Sequence, residues 1–450
     1  MTPRYRHAPV ASLVITLLMP VAATTVRAES DNNWPALGGA DGTSISSERG
    51  LPIQWSATQN VAWKTSIAGR GHSSPIVWGD RIFLTTAIKG DEVPGHGPVE
   101  HMLGGTKFVH PDSVGAEFSH QYRVIAIDAD RGGIVWDRLA YEGPPYDDHH
   151  RMGSYAAPTA ATDGIRVYAY FGTPGLYAYD FDGNLIWSAK VGNIATLGVG
   201  VGTSPVLAGD LVIIQADEDS GDHSALVAFD KNTGEEVWRI ARPVQLSWAT
   251  PTLVTGLERD ELVTVGNEWI ISYDPVNGDE LWRMQGLEAN AIHRPLVHGN
   301  MIIATAGYPQ KVIKAVRLGG SGDLTDTDYL VWSYNKGTAY VPSNLAYDGY
   351  VYLLNDQGIL TCLDANTGKI VYEGGRMPVA QRFSASPVAF DGKFLMSGND
   401  GEVFVIQAGP DFEVLSVNSM AESIWASPAI ANGRIYIRTL DHLWAIERKE

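Results

Sequence analysis

Three features of the sequence predict an all-β chain folded as an eight-bladed β-propeller of four-stranded antiparallel blades. A short Asp–Gly–Trp frame recurs along the chain. A proline-led pair of apolar strands precedes each copy. The composite unit repeats every roughly 40–50 residues, a spacing expected of propeller blades.

The frame is clearest in Ala228-Phe229-Asp230-Lys231-Asn232-Thr233-Gly234-Glu235-Glu236-Val237-Trp238. It recurs over Ala126–Trp136 and Ser272–Trp282, one residue shorter over Ala178–Trp187, and over Cys362–Gly368 with Tyr372 in place of the indole. An apolar strand enters a turn whose Asp bonds the backbone ahead of it. The Gly then takes a positive φ, and a second strand leaves carrying the aromatic. An indole at one fixed place per repeat is suited to wedge between neighbouring sheets.

The second element is a small residue followed by Pro, an apolar strand, a tight turn and another apolar strand. Its copies start at Ser74-Pro75, Ala157-Pro158, Ser204-Pro205, Thr250-Pro251, Arg294-Pro295, Val341-Pro342, Ser386-Pro387 and Ser427-Pro428. Proline is tolerated at the first position of a strand, where a ladder bond is dispensable. The units near 315–332 and 405–415 are degenerate: Arg317 and Gln407 replace the Asp, and Gly319–Tyr329 is inserted. The last unit ends at His442–Glu447 with three strands, while Asn60–Ile67, with Trp63, is an orphan strand near the other end. Pairing the two closes the ring and removes two free edges.

These frames resemble the pyrroloquinoline quinone (PQQ)-like β-propeller repeat, with its tryptophan-docking signature Ala-x-Asp-x-x-Thr-Gly-x-x-x-Trp. The resemblance covers nearly the whole chain beyond the leader, and it implies fold more than activity. Proteins sharing the repeat include quinoprotein dehydrogenases, a propeller lipoprotein of the outer-membrane β-barrel assembly machine, and sensor domains. Quinoprotein alcohol dehydrogenases set two adjacent cysteines against the quinone, and Cys362 stands alone here. They also hold Ca²⁺ with Glu, Asn and Asp. Asn267-Glu268 and Asp217-Glu218-Asp219 offer such oxygens without aligning to that pattern.

Residues 1–28 carry the layout of a secretory signal peptide: Arg4 and Arg6, an apolar run from Val10 to Val21, and Val26-Arg27-Ala28 before cleavage. The expected division is 1–28 leader, 29–58 lead-in and 59–450 propeller, located in the periplasm or secreted. Cleavage removes three arginines and no acid, taking the formal charge from −18 to −21. That charge repels phosphate backbones and anionic lipid, so nucleic acid is not an expected partner. No later run reaches membrane-spanning length, and no cysteine follows the cleavage site to carry a lipid. A soluble monomer is expected.

The ring brings the residues before each proline-led strand to one channel mouth. His72, Tyr155, Trp248, His293, Arg294, Tyr340, Ser384 and Trp425, with Arg382 nearby, therefore form the expected ligand or cofactor funnel. Six histidines, His96, His101, His110, His120, His149 and His150, lie in or just after a first-blade insertion spanning 88–121. They lack the short spacing of a metal-ligand set. The acidic run Asp217–Asp222 reads as an acidic hairpin tip, because Ala228 stands where an EF-hand needs its final Glu. No Gly-x-Ser-x-Gly or His-Glu-x-x-His motif is present, and no catalytic set is expected. The reading is a non-catalytic envelope scaffold that binds a protein or small molecule at the mouth. Two alternatives stay open: a PQQ- and Ca²⁺-dependent dehydrogenase, and a carbohydrate-binding or carbohydrate-processing propeller.

Overall fold

Eight blade sheets succeed one another, each with four blade strands and two with an added edge strand; in the first seven the four blade strands follow sequence order. The computed structural model describes residues 1, 32–103 and 105–449, so the segment expected to be a leader, apart from Met1, lies outside the described residues. Blade 1 comprises Ile76–Trp78, Arg81–Glu92, Phe118–Asp128 and Ile134–Gly143. Blade 8 comprises Ala429–Ala431, Arg434–Arg438 and His442–Ile446, and its fourth strand is Val61–Ser66 from the start of the propeller. Thr65 faces Leu443 and Ser66 faces His442 in that antiparallel pair, so the orphan strand closes the ring. No helix among the described residues is long and apolar enough to cross a membrane.

The turns follow their local chemistry. Asp230 Oδ1 accepts the backbone N–H of Asn232 at 2.8 Å and of Thr233 at 2.9 Å. Gly234 follows with a φ of 75°. The Trp187 indole of the preceding blade lies against this glycine and donates Nε1–H to Lys231 O at 3.0 Å. A Cβ at position 234 would come 2.6 Å from that ring, so the close approach requires glycine as much as the φ does. The same donation links Trp63 to Ala129, Trp136 to Phe181 and Trp332 to Ala365. Each tryptophan thus buries its face between blades and satisfies its one donor on the next turn.

Blade 4 solves the problem differently, because the inserted Gly319–Tyr329 replaces the standard turn of blade 5. Trp282 is fully buried and donates to the carboxylate of Glu261 at 2.6 Å. Ser272 Oγ and the Gly319 N–H donate to the same carboxylate at 3.0 Å each. Part of the insertion, Gly322–Asp323, adds a parallel edge beside Trp282 and Arg283.

Middle strands are buried on both faces, as in Leu262–Gly266 and Met301–Ala306, whereas outer strands alternate. The acidic run forms the tip of the hairpin between Leu211–Ala216 and Ala225–Asp230, and its first half is buried. Asp217 and Glu218 are buried, and Asp217 forms an ion pair with Arg242, Nε to Oδ1 at 2.7 Å, with both side chains fully inaccessible. Of the four acids in the run only Asp222, past the turn, is exposed.

Candidate functional site

The first strand of each blade enters the channel through one structurally equivalent residue: Ser74, Thr159, Ser204, Thr250, Arg294, Ser343, Ser386 and Ser427. These residues are stitched around the channel by backbone-to-hydroxyl hydrogen bonds. Ser74 N–H donates to Thr159 Oγ1 at 2.9 Å, Thr159 to Ser204 at 3.0 Å, and Ser204 to Thr250 at 2.9 Å. Arg294 donates to Ser343 at 3.0 Å, Ser343 to Ser386 at 3.0 Å, and Ser386 to Ser427 at 2.9 Å. Arg294 is where a hydroxyl gives way to a guanidinium. Its Nε donates to Thr252 Oγ1 at 3.2 Å and its Nη1 to Leu37 O. Burial pulls its pKa down to about 10, with Asp41 opposing.

The lead-in closes the channel end opposite the mouth. Trp34 pairs with Val77, Thr162 N–H donates to Pro35 O, and Ile45–Ser46 lie parallel to Ala389–Phe390. All three contacts fall at the far ends of first strands. Leu37 therefore lies on the inner wall of the cavity, which has a volume of about 800 Å³.

Strand alternation decides which mouth residues reach this cavity. The residues two positions before each equivalent one line it: His72, Ala157, Gly202, Trp248, Ile292, Val341, Ser384 and Trp425. One position before, they turn between blades, since successive residues of an extended chain face opposite ways. His293 occupies such a position. It is buried, with Nε2 against Ala339 O at 3.1 Å, and does not line the cavity. Tyr155 is also displaced. In blade 2 the proline stands two residues earlier against the strand register than in blade 1, so Tyr155 lies four positions before Thr159 and lines a neighbouring pocket instead. Arg294, Tyr340 and Arg382 reach the cavity with His72, Trp248 and Trp425. His72 and Trp425 stack, ring centroids 5.2 Å apart and planes 6° apart. Burial, reinforced by Arg70 and Arg438, holds the His72 pKa down at about 3, so the ring is neutral.

The mouth does not fit a calcium-held quinone. Asp356 is the one carboxylate lining the cavity among the described residues, and no three His, Cys, Asp or Glu side chains there converge as a metal-binding group. Cys362 is buried within blade 6, its thiol pushed up to about 12 by burial. It faces no second sulfur.

The first-blade insertion is fastened down by a contact that sequence reading missed. His101 is buried with Nδ1 2.6 Å from Asp219 Oδ2 and Nε2 3.0 Å from Asp147 Oδ1. Carboxylates only accept, so both ring nitrogens donate and the ring is an imidazolium. Asp147 in turn accepts from Thr196 N–H at 2.7 Å. Burial opposes the charge, but the two carboxylates outweigh it and raise the pKa from 6.5 to about 9. The clamp's stabilisation is therefore complete below pH 6.5 and lost as pH rises through about 9. Hydrogen exchange at residues 101–108 is expected to accelerate between pH 7 and 10 beyond its intrinsic pH dependence. His101→Gln should remove that extra step.

With this geometry in place, a family model described as outer membrane protein assembly factor BamB matches residues 120–373, more than half of the chain. The chain belongs to this family of PQQ-type propellers. A member from Burkholderia pseudomallei, also an outer membrane protein assembly factor BamB, is 33% identical over 114 residues, 25% of this chain and 28% of that relative. The match thus spans under a third of the relative's length. BamB from Moraxella catarrhalis superposes with a TM-score of 0.52 at 14% identity, covering 80% of this chain and 99% of that one. Quinohemoprotein alcohol dehydrogenase from Comamonas testosteroni gives a TM-score of 0.62 at 13% identity, over 93% and 81%. At these identities the two structures share the fold alone.

Proposed function

We propose that this protein is a non-catalytic scaffold of the bacterial cell envelope that receives a protein partner at the channel mouth, beside the first-blade insertion. The observation that carries the reading is the family match over residues 120–373, joined to a mouth of stacked aromatics and small hydroxyls. Such a wall suits binding through Trp, Tyr and Arg anchors, the residues that dominate protein interfaces. Trp248, Trp425, Tyr340 and Arg382 supply them. Among the described residues no metal-ligating group converges at the mouth, which favours the scaffold over a calcium-dependent dehydrogenase.

A photo-crosslinking amino acid at Tyr340 or Trp425, compared with one at Ile186 on an outer strand, tests the proposal in the native host. The expected result is a cross-link from the mouth positions to a component of the outer-membrane protein assembly machinery, with little from position 186. Equal labelling at all three sites, or mouth adducts only to glycans, would overturn it. The glycan result would promote the carbohydrate reading, which the paired faces of His72 and Trp425 favour.

A further inference from the structure

A second cavity, of about 540 Å³, lies between blade 1 and its insertion and shares only Ser154 with the channel mouth. Its walls combine two cations, two histidines and two aromatic rings: Arg70, Lys89, His120, His149, Phe118 and Tyr155. The cations lack the partners that an acidic chain could readily have supplied, with 51 Asp and Glu against 33 Lys and Arg. Among the described residues, Arg70 forms no ion pair, and its buried Nε has no hydrogen-bond acceptor. Burial lowers its pKa, the signature of a guanidinium held away from water without a counter-charge. Lys89 forms no ion pair either and stands over the Phe118 ring, 3.1 Å from its centroid.

Burial lowers the pKa of both histidines and so favours their neutral rings. His149 Nδ1 lies 2.6 Å from His150 O, and His120 Nδ1 lies 3.0 Å from Phe118 O. A carbonyl accepts only, so each ring carries its proton on Nδ1. Tyr155 packs edge-on against both, with centroids 4.6 Å from His120 and 4.4 Å from His149. The one acid on the wall, Glu117, is engaged by the Gly115 N–H at 3.1 Å and neutralises neither cation by a direct ion pair. The pocket therefore presents unpaid positive charge beside flat apolar surface.

We propose that this pocket binds a small organic anion, a carboxylate or phosphate monoester carried on a flat apolar body. Arg70 forks the anionic group, Lys89 supplies the second charge, and Phe118 and Tyr155 pack the body. A guanidinium fork matches the planar geometry of either oxyanion, and a charge-assisted bond is stronger in a half-enclosed site than in water. The site is independent of the partner surface at the mouth.

Calorimetric titration of the whole mature protein with benzoate and, separately, with phenyl phosphate tests this and distinguishes the two oxyanions. One saturable site for at least one probe is expected, weakened about tenfold or more by Arg70→Met, as for loss of a charged hydrogen bond. Lys89→Met should weaken it by a smaller factor, and Arg382→Met, at the mouth, should leave it unchanged. If Arg70→Met lowers the unfolding temperature markedly, the exposed Lys89 decides, since its loss leaves the packing intact. Absence of saturation with both probes would overturn the proposal. So would binding lost in Arg382→Met, or binding indifferent to Lys89→Met and Arg70→Met alike.

Discussion

Asp217→Ala is expected to destabilise the propeller by about 3–5 kcal/mol, because it strands a buried guanidinium. Arg242 and Asp217 are wholly inaccessible, bonded at 2.7 Å and 3.3 Å, and Arg242 Nη1 also donates to Thr264 Oγ1 in the next blade at 2.6 Å. Gln215 Nε2 completes the carboxylate's shell at 2.9 Å. Burial pushes the Asp217 carboxyl up to about 6. On Arg242 burial acts against the charge, but Asp217 and Tyr273 outweigh it and raise its pKa, so the pair is charged at neutral pH. Removing both charges with apolar residues of similar size, Asp217→Leu with Arg242→Met, should recover most of the loss. Urea unfolding of the single and the double variant measures this. A single variant within about 1 kcal/mol of the parent would mean that the pair is dispensable.

Trp282→Ala should cost a comparable amount, about 3–5 kcal/mol, the range for truncating a fully buried large aromatic. Two costs combine here. The indole is enclosed by Val263, Ile270, Ile302 and their neighbours, and its removal also leaves Glu261 without its shortest donor. Trp238 offers the comparison. It is only half-buried and its Nε1 has no acceptor, so Trp238→Ala should cost clearly less. Glu261→Ala tests the other half: it orphans the Trp282 and Ser272 donors and the Gly319 N–H, and should cost about 2–4 kcal/mol. Thermal and urea midpoints of the three variants give the ranking. Equal losses for Trp238→Ala and Trp282→Ala would refute it.

Much of the candidate site was legible for a geometric reason. A ring places the same position of every blade at the same height, so His72, Trp248, Arg294, Tyr340, Arg382 and Trp425 could be gathered from the spacing of proline-led strands. The errors came from using proline as the ruler. In blades 2 and 6 Pro158 and Pro342 sit two residues earlier against the strand register, which misplaced Tyr155. For His293, one step along an extended chain turned the ring from the channel into the gap between blades. The burial at the acidic hairpin tip was not legible, because the partner of Asp217, Arg242, lies 25 residues away and pairs through the fold.

The sequence by itself determined the eight-bladed ring, its four-stranded units and the strand that seals it. These follow from short-range chemistry: an Asp-bonded turn, a glycine at positive φ, and an indole at a fixed offset, repeated often enough to outweigh two degenerate copies. Only the tertiary structure decided which charges meet. The His101 clamp joins residues 46 and 118 positions apart, and Glu261 rescues an indole whose usual acceptor was lost to an insertion. The pocket around Arg70 exists because the insertion folds back over blade 1. Such pairings depend on distances through space, which local periodicity does not encode.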